Sequence, residues 1–237
     1  MALPTLEERL QQLRDDNYRA QLIQRSRETG FRVPPELIHP MGHGEVPEYD
    51  LDNRASLAHI AEAEGRDPVD LYVERLLESE GRELWNLWAF GANLENQWNY
   101  MRSPHCVPML ANAGAHVGIF TDTDSPTFLL SELTRRRGLF SLEEAIHRIT
   151  QASADVIGLK QRGTVAEGWI ADLNIIDYDN LETGYPYYVN DFPHNGGRLI
   201  VESKGYRATL VSGQAIVEHG QHTGKRPGSV IREFRRD

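Results

Sequence analysis

The sequence predicts an α/β segment over residues 1–160 followed by a β-rich segment over residues 161–237. Three observations predict this. Helix-start signals recur along the first part, at Thr5, Ser56, Asp67 and Ser141. Two apolar runs, Leu84–Phe90 and Val107–Ala111, alternate with helical stretches in the manner of strand-then-helix units. After Leu159 the helical spacing stops, and short β-type runs separated by glycine turns take over.

The elements follow in order. Thr5 with Glu8 spells a capping box, and Leu6, Leu10 and Leu13 recur at helical spacing behind it. Asp16 is placed to cap a second helix carrying Tyr18, Leu22 and Ile23, which Gly30 stops. From Val33 to Asp52, prolines 34, 35, 40 and 47 with Gly42 and Gly44 predict a long irregular connection. Ser56–Glu64 reads as a helix with Leu57, Ile60 and Ala61 on one face. Asp67-Pro68 restarts another, with proline at the first helical position, where its missing N–H is no loss. Leu84–Phe90 reads as a short buried strand, Asn93–Met101 as a helix, and Val107–Ala111 as a strand of the parallel-sheet kind. A glycine-bearing loop, Asn112–Thr123, follows. Ser125-Pro126 starts a helix, Ser141 and Glu144 spell a second capping box, and Ser153 is placed to cap a short helix ending at Gly158. Strands are expected at Asp172–Tyr178, Leu199–Glu202, Arg207–Ser212 and Ile216–Glu218, with Gly213 in a tight hairpin turn.

Composition excludes several classes. The 25 basic and 35 acidic residues give a net charge of −10, which argues against a nucleic-acid surface, since phosphate binding is driven by clustered Lys and Arg. The run Arg135-Arg136-Arg137 is too short to reverse this. Glu7, Glu8, Arg9, Arg14, Asp15 and Asp16 break any leader-type apolar stretch, and no window approaches the roughly 18 apolar residues of a membrane span. Cys106 stands alone, so neither a disulfide framework nor a thiolate metal cluster is available. A cytoplasmic protein is the expectation, with no nucleic-acid and no membrane partner.

Two stretches carry a family resemblance. Ala111-Asn112-Ala113-Gly114-Ala115-His116-Val117-Gly118 is one, and Gly163-Thr164-Val165-Ala166-Glu167-Gly168-Trp169-Ile170-Ala171-Asp172-Leu173, continued by Asn174-Ile175-Ile176-Asp177, is the other. The second resembles the C-terminal signature of the metal-dependent amidohydrolases, where the chain leaves the barrel for a small β domain. The first resembles the strand-8 loop of the N-acyl-D-amino-acid deacylase branch. Ser125-Pro126-Thr127, the Leu142–Ala145 stretch, Gly205–Thr209 and His222-Thr223-Gly224 are similar to the same branch. The resemblance implies a (β/α)8 barrel with zinc or another divalent ion at the C-terminal ends of its strands. That ion polarises an amide carbonyl and generates hydroxide from water. An aspartate at the end of strand 8 moves the proton to the leaving amine.

Two departures shape the expected function. Such a barrel needs roughly 250 residues, and only two convincing strands precede residue 160, so the expected fold is the last βα units of an incomplete barrel followed by a small β-rich domain. The nine histidines are 39, 43, 59, 105, 116, 147, 194, 219 and 222. None forms a His-x-His or His-x-Asp pair, and Pro40 and Gly42 keep His39 and His43 off one helical face. No metal ligand set is therefore assigned to this chain, although zinc or another divalent metal is implied for the complete family enzyme. The second departure is Asn112, which stands where the family pattern has its aspartate. An amide oxygen is far too weak a base to take up a proton near neutral pH, and losing a general base costs about 10²–10⁴ in rate.

The remaining candidates have two readings each. His116, after Gly114-Ala115, can touch a substrate carboxylate or hydrogen-bond its own loop; both stay open, and Gly114 and His116 are the substrate-binding candidates. Asp122 and Asp124 resemble a carboxylate pair, with Asp124 also placed to favour the following helix N-terminus. Trp85, Trp88 and Trp98 read as core, or as a sticky face if the barrel is incomplete. Cys106 reads as a small buried hydrophobe. The expected function is an amidohydrolase-like protein, related to hydrolases of amide bonds in N-acyl amino acids, inactive as an isolated chain. It would need a second chain carrying the metal-binding half; the alternative is a non-catalytic remnant or self-associating module.

Overall fold

The computed structural model describes residues 5–30, 33–42, 47, 56–88, 99–108, 116–119 and 121–234. The chain divides into two units, Met1–Leu94 and Glu95–Asp237.

In the N-terminal unit, α1 (Leu6–Arg14) starts on the Thr5 capping box: the Glu8 carboxylate accepts from the Thr5 N–H at 2.7 Å, and the Thr5 hydroxyl accepts from the Glu8 N–H at 3.2 Å. Asp15, one residue earlier than expected, caps α2 (Asp16–Thr29) by accepting from the Tyr18 N–H at 2.8 Å. Asp16 instead occupies the first turn, where its charge suits the helix dipole. Ser56 caps α3 (Leu57–Ala63) and Asp67 caps α4 (Pro68–Glu78), both as the sequence predicts. α4 buries Val69, Leu71 and Val73, and Arg19 reaches from α2 to Asp70 at 2.6 Å.

Ile38, Leu57, Ala61 and Leu71 form the core, with Val33, Ile60, Tyr72 and Trp85 packed around it. Leu57 and Leu71 are essentially solvent-free; burying a side chain of that size contributes about 1.5–3 kcal/mol. Strand β2 (Trp85–Leu87) pairs antiparallel with β1 (Ile38–Pro40), in the register Ile38↔Leu87, His39↔Asn86 and Pro40↔Trp85. β1 lies in the stretch whose prolines predicted only an irregular connection. Three residues are too few to show alternation, and Pro40 is tolerated because it closes an edge strand. β2 is not a buried strand, since Leu87 is largely exposed.

In the C-terminal unit, residues 99–102 are helical, while the rest of the expected Asn93–Met101 helix lies outside the described residues. α5 (Ser125–Phe128) runs on into a π-type segment, Leu129–Arg136. The wider turn is visible in the Arg137 N–H donating to the Glu132 carbonyl at 3.1 Å. α6 (Leu142–Ile149) is capped by Ser141, but the capping box is half made: the Glu144 carboxylate accepts from Arg148 at 3.0 Å instead. α7 spans Gln151–Ile157, so Ser153 lies inside the helix rather than at its cap, with its hydroxyl donating to the Arg148 carbonyl.

The β-rich part contains β3 (Leu173–Ile176), β4 (Glu182–Thr183), β5 (Tyr187–Phe192), β6 (Gly196–Ile200), β7 (Ser203–Lys204), β8 (Tyr206–Val211), β9 (Gln214–Glu218) and β10 (Gln221–His222). Four strands form an antiparallel sheet in the order β10-β9-β8-β3, and β4–β7 and β5–β6 form separate ladders. Ser212 and Gly213, with φ of 49° and 75°, make the tight turn between β8 and β9 that the sequence places at Gly213.

Leu129, Leu130, Leu133, Phe140 and Ala145 share one core with Leu181, and Ile176, Tyr178 and Tyr206 pack against it. The change of texture near residue 160 therefore falls inside one unit, because the helices bury their apolar face on the first turns of the β segment. Gly163 of the second motif shows how close that approach is. Its φ is +87°, and a Cβ there would lie 2.8 Å from the Gln151 Cα and 2.9 Å from the Ala154 Cβ.

Candidate functional site

Asn112 and Gly114 lie outside the described residues, as do residues 109–111 of the expected second strand; Val107 and Pro108 are not in a strand. The site is described from His116 onward. Residues 116–119 form a turn in which the His116 carbonyl accepts from the Ile119 N–H at 2.8 Å, and the His116 side chain is exposed. Val117 is buried, and its carbonyl accepts from the Leu199 N–H of β6 at 2.6 Å. That bond docks the loop on the β5–β6 hairpin, so the orientation of His116 is set by the β segment as well as by its own turn.

Downstream of the turn lie Asp122 and Asp124. The Asp122 carbonyl accepts from the Ser125 N–H at 3.0 Å, at the entry to α5. Asp124 is buried, and its carboxylate accepts a hydrogen bond from the equally buried Thr183 hydroxyl of β4. No side-chain cap of α5 is made by Asp124. Beside it, the Thr127 hydroxyl lies 3.1 Å from the Ser203 hydroxyl and 3.0 Å from the Tyr206 hydroxyl. The Ser131 hydroxyl donates to the Thr127 carbonyl at 2.8 Å. These residues form a buried polar seam between α5 and the short β4–β7 ladder. Asp124 belongs to that seam. Ser125-Pro126-Thr127 is readable in the sequence only as part of a resemblance; the partners of Thr127, 76 and 79 residues away, carry no local signal.

The basic run is likewise committed to structure. The Arg135 guanidinium donates to the carbonyls of Tyr178, Asp179 and Leu181, and Arg136 and Arg137 pair with Glu132 and Glu182. An open cleft of about 550 Å³ lies over this region, lined by Asp177, Asp179, Glu182, Lys204, Tyr206 and Arg207 among others. Two of its carboxylates are paired, Asp177 with Arg207 and Glu182 with Arg136. Arg207, 2.6 Å from Asp177, helps hold that carboxyl below the usual carboxylate range, and Asn180 adds a hydrogen bond. His116 does not line this cleft.

Cys106, read from sequence as a buried hydrophobe, is exposed. It precedes residues that are not in a strand, so no sheet covers it, and its carbonyl accepts from Arg148 at 3.5 Å. Trp88 is buried and Trp85 packs on the N-terminal core, as the core reading has them, whereas Trp98 lies outside the described residues. Among the described residues, no group of three or more His, Cys, Asp or Glu side chains is placed to hold a metal ion. The donor set among the described residues does not make up the zinc site that the resemblance implies, which needs at least three protein ligands. Among them, too, no helix is long and apolar enough to cross a membrane.

Comparison with known proteins places these residues in context. Residues 106–217 match the amidohydrolase family. Over 106 residues the chain is 35% identical to an N-acyl-D-aspartate deacylase of Alcaligenes xylosoxydans xylosoxydans, covering 44% of this chain and 19% of that protein. Among solved structures, it is similar to a D-aminoacylase described as defining a novel subset of amidohydrolases, with 30% identity, coverage of 42% of this chain and 19% of the other, and a TM-score of 0.34. It is also similar to the N-acyl-D-glutamate deacylase of Bordetella bronchiseptica, solved with zinc and a phosphonate inhibitor, with 22% identity, coverage of 92% and 47%, and a TM-score of 0.44. The chain thus spans about one fifth of the length of the curated relative it matches. Over residues 106–217 the chain is thus similar to the amidohydrolase family, and part of it to an N-acyl-D-aspartate deacylase.

Proposed function

We propose that this chain is the C-terminal part of a metal-dependent amidohydrolase that cleaves the amide bond of an N-acyl amino acid, and that it is inactive alone. The observation that carries the proposal is a pairing of two facts. The amidohydrolase family match spans residues 106–217, which include the His116 loop and most of the β segment, while the described residues contain no metal-ligand cluster. The metal-binding half of the barrel would come from a second polypeptide. The helices between Ser125 and Ile157 would be closing helices of that barrel. In the completed site His116 would meet the substrate carboxylate, Gly114 would let the loop approach it, and Asn112 would offer a hydrogen bond without accepting a proton.

A self-associating module without catalysis is the second reading, and Asn112, which cannot act as the general base, favours it.

The test is hydrolysis of N-acyl-D-aspartate and N-acyl-D-glutamate by the chain alone, and by the chain mixed with the N-terminal part of the Alcaligenes deacylase. No amino acid released alone, with release on mixing, is expected. Turnover by the chain alone would overturn the requirement for a partner. No release in either case, with a stable homo-oligomer in solution, would select the non-catalytic reading. Within an active mixture, Asn112→Asp is expected to raise the rate by about 10²–10⁴, the usual contribution of a general base.

A further inference from the structure

His39 is the most unusual buried group in the N-terminal unit. Its side chain is 1% exposed, and its ring is stacked on Trp88 with centroids 4.0 Å apart and planes 21° from parallel. Neither ring nitrogen has a hydrogen-bond partner. Buried polar groups are nearly always paired, so an imidazole with both nitrogens unmatched needs a reason. The ring sits in the middle of β1, directly opposite Asn86 of β2, in the ladder whose Ile38 enters the core.

The charged form of such a ring is strongly disfavoured. Among the described residues, none of the groups acting on it is a carboxylate. The groups that do are the Glu36 carbonyl, which favours the proton, and His59 of α3, which opposes it; burial outweighs both and pushes His39 below the ordinary histidine range. His59 is itself engaged, with its ring nitrogen 2.6 Å from the Ser56 hydroxyl.

We propose that His39 is an acid-sensitive latch of the N-terminal unit: its neutral ring, stacked on Trp88, holds the β1–β2 ladder shut, and protonation opens the ladder. The sign follows from linkage. The opened chain takes up a proton on His39 at about pH 6.5, the closed unit only at lower pH, so the opened state gains on the closed one as pH falls. Above that value the latch is fully closed. Below it, opening rises by up to about tenfold per pH unit for a single proton, until the closed form also titrates.

The test is amide-exchange protection of His39 and of residues 85–88 in the full chain between pH 8 and pH 5, corrected for intrinsic exchange, with the His39 ring followed by NMR. Wild type should lose protection in this ladder up to about tenfold per pH unit below about 6.5. Residues 206–218 serve as the reference. His39→Phe keeps an aromatic stack but cannot take a proton, and should flatten the dependence, whereas His59→Gln should keep it. An unchanged dependence in His39→Phe would overturn the proposal. So would a wild-type ring that titrates at 6.5 or above with the ladder still protected, a result that does not depend on any variant folding.

Discussion

The two units treat their buried polar groups in opposite ways. In the C-terminal unit the buried Asp124, Thr127, Ser131, Thr134, Arg148 and Thr183 all have partners, most of them across elements. In the N-terminal unit Ser56 is paired with His59, while His39 and the Trp85 indole nitrogen are not. A fully paired polar seam fixes one arrangement, because any shift leaves a dry donor or acceptor behind. An unpaired buried imidazole does the reverse and makes the structure conditional on its protonation state. The amidohydrolase-like sequence lies in the seam-bearing unit, where geometry around the His116 turn is held from two sides.

That contrast can be broken by substitution. The largest effect is expected at Gly163→Ala, which combines a left-handed backbone with a Cβ that meets α7 at 2.8 Å. Strain and overpacking together should cost roughly 2–4 kcal/mol, read from urea unfolding of the full chain. Next comes Arg148→Met, which removes donors to the Arg102 carbonyl at 2.9 Å and to Glu144, and a guanidinium over the Phe140 ring. A loss of about 2–3 kcal/mol is expected by the same measurement, since buried acceptors lose their partner. Thr183→Val leaves the Asp124 carboxylate without its Thr183 donor and should cost about 1–3 kcal/mol. The smallest effect belongs to the N-terminal unit. Asp67→Ala removes the cap bond to Val69 at 2.9 Å, worth about 1 kcal/mol. If the Thr183 and Asp67 variants unfolded both units together, the division between them would have no energetic meaning.

Legibility in the sequence followed the range of the physics. Capping is local, so Thr5, Ser56, Asp67 and Ser141 could be read directly, and the hairpin at Gly213 could be read from a single glycine between alternating strands. At Asp16 the cap moved by one residue because the adjacent Asp15 carboxylate takes the free N–H, at Glu144 the carboxylate is drawn to Arg148 instead, and Ser153 lies three residues inside a helix that starts after Thr150 without a side-chain cap. β1 was missed because three residues carry no period. Strands β4, β7 and β10 are two residues long and exist only through their partners. At the candidate site, the Gly114–His116 motif was visible as a resemblance, but the seam of Asp124, Thr127, Thr183 and Tyr206 was not, since its members are brought together by tertiary packing alone.

We propose that the deacylase-like sequence of this chain carries no complete metal site of its own. The most direct measurement is the zinc bound per chain after purification and equilibration with zinc, with the mass in solution recorded on the same sample. The account predicts much less than one zinc per chain. One or more tightly bound zinc ions per chain would contradict it and would place the missing ligands within this sequence.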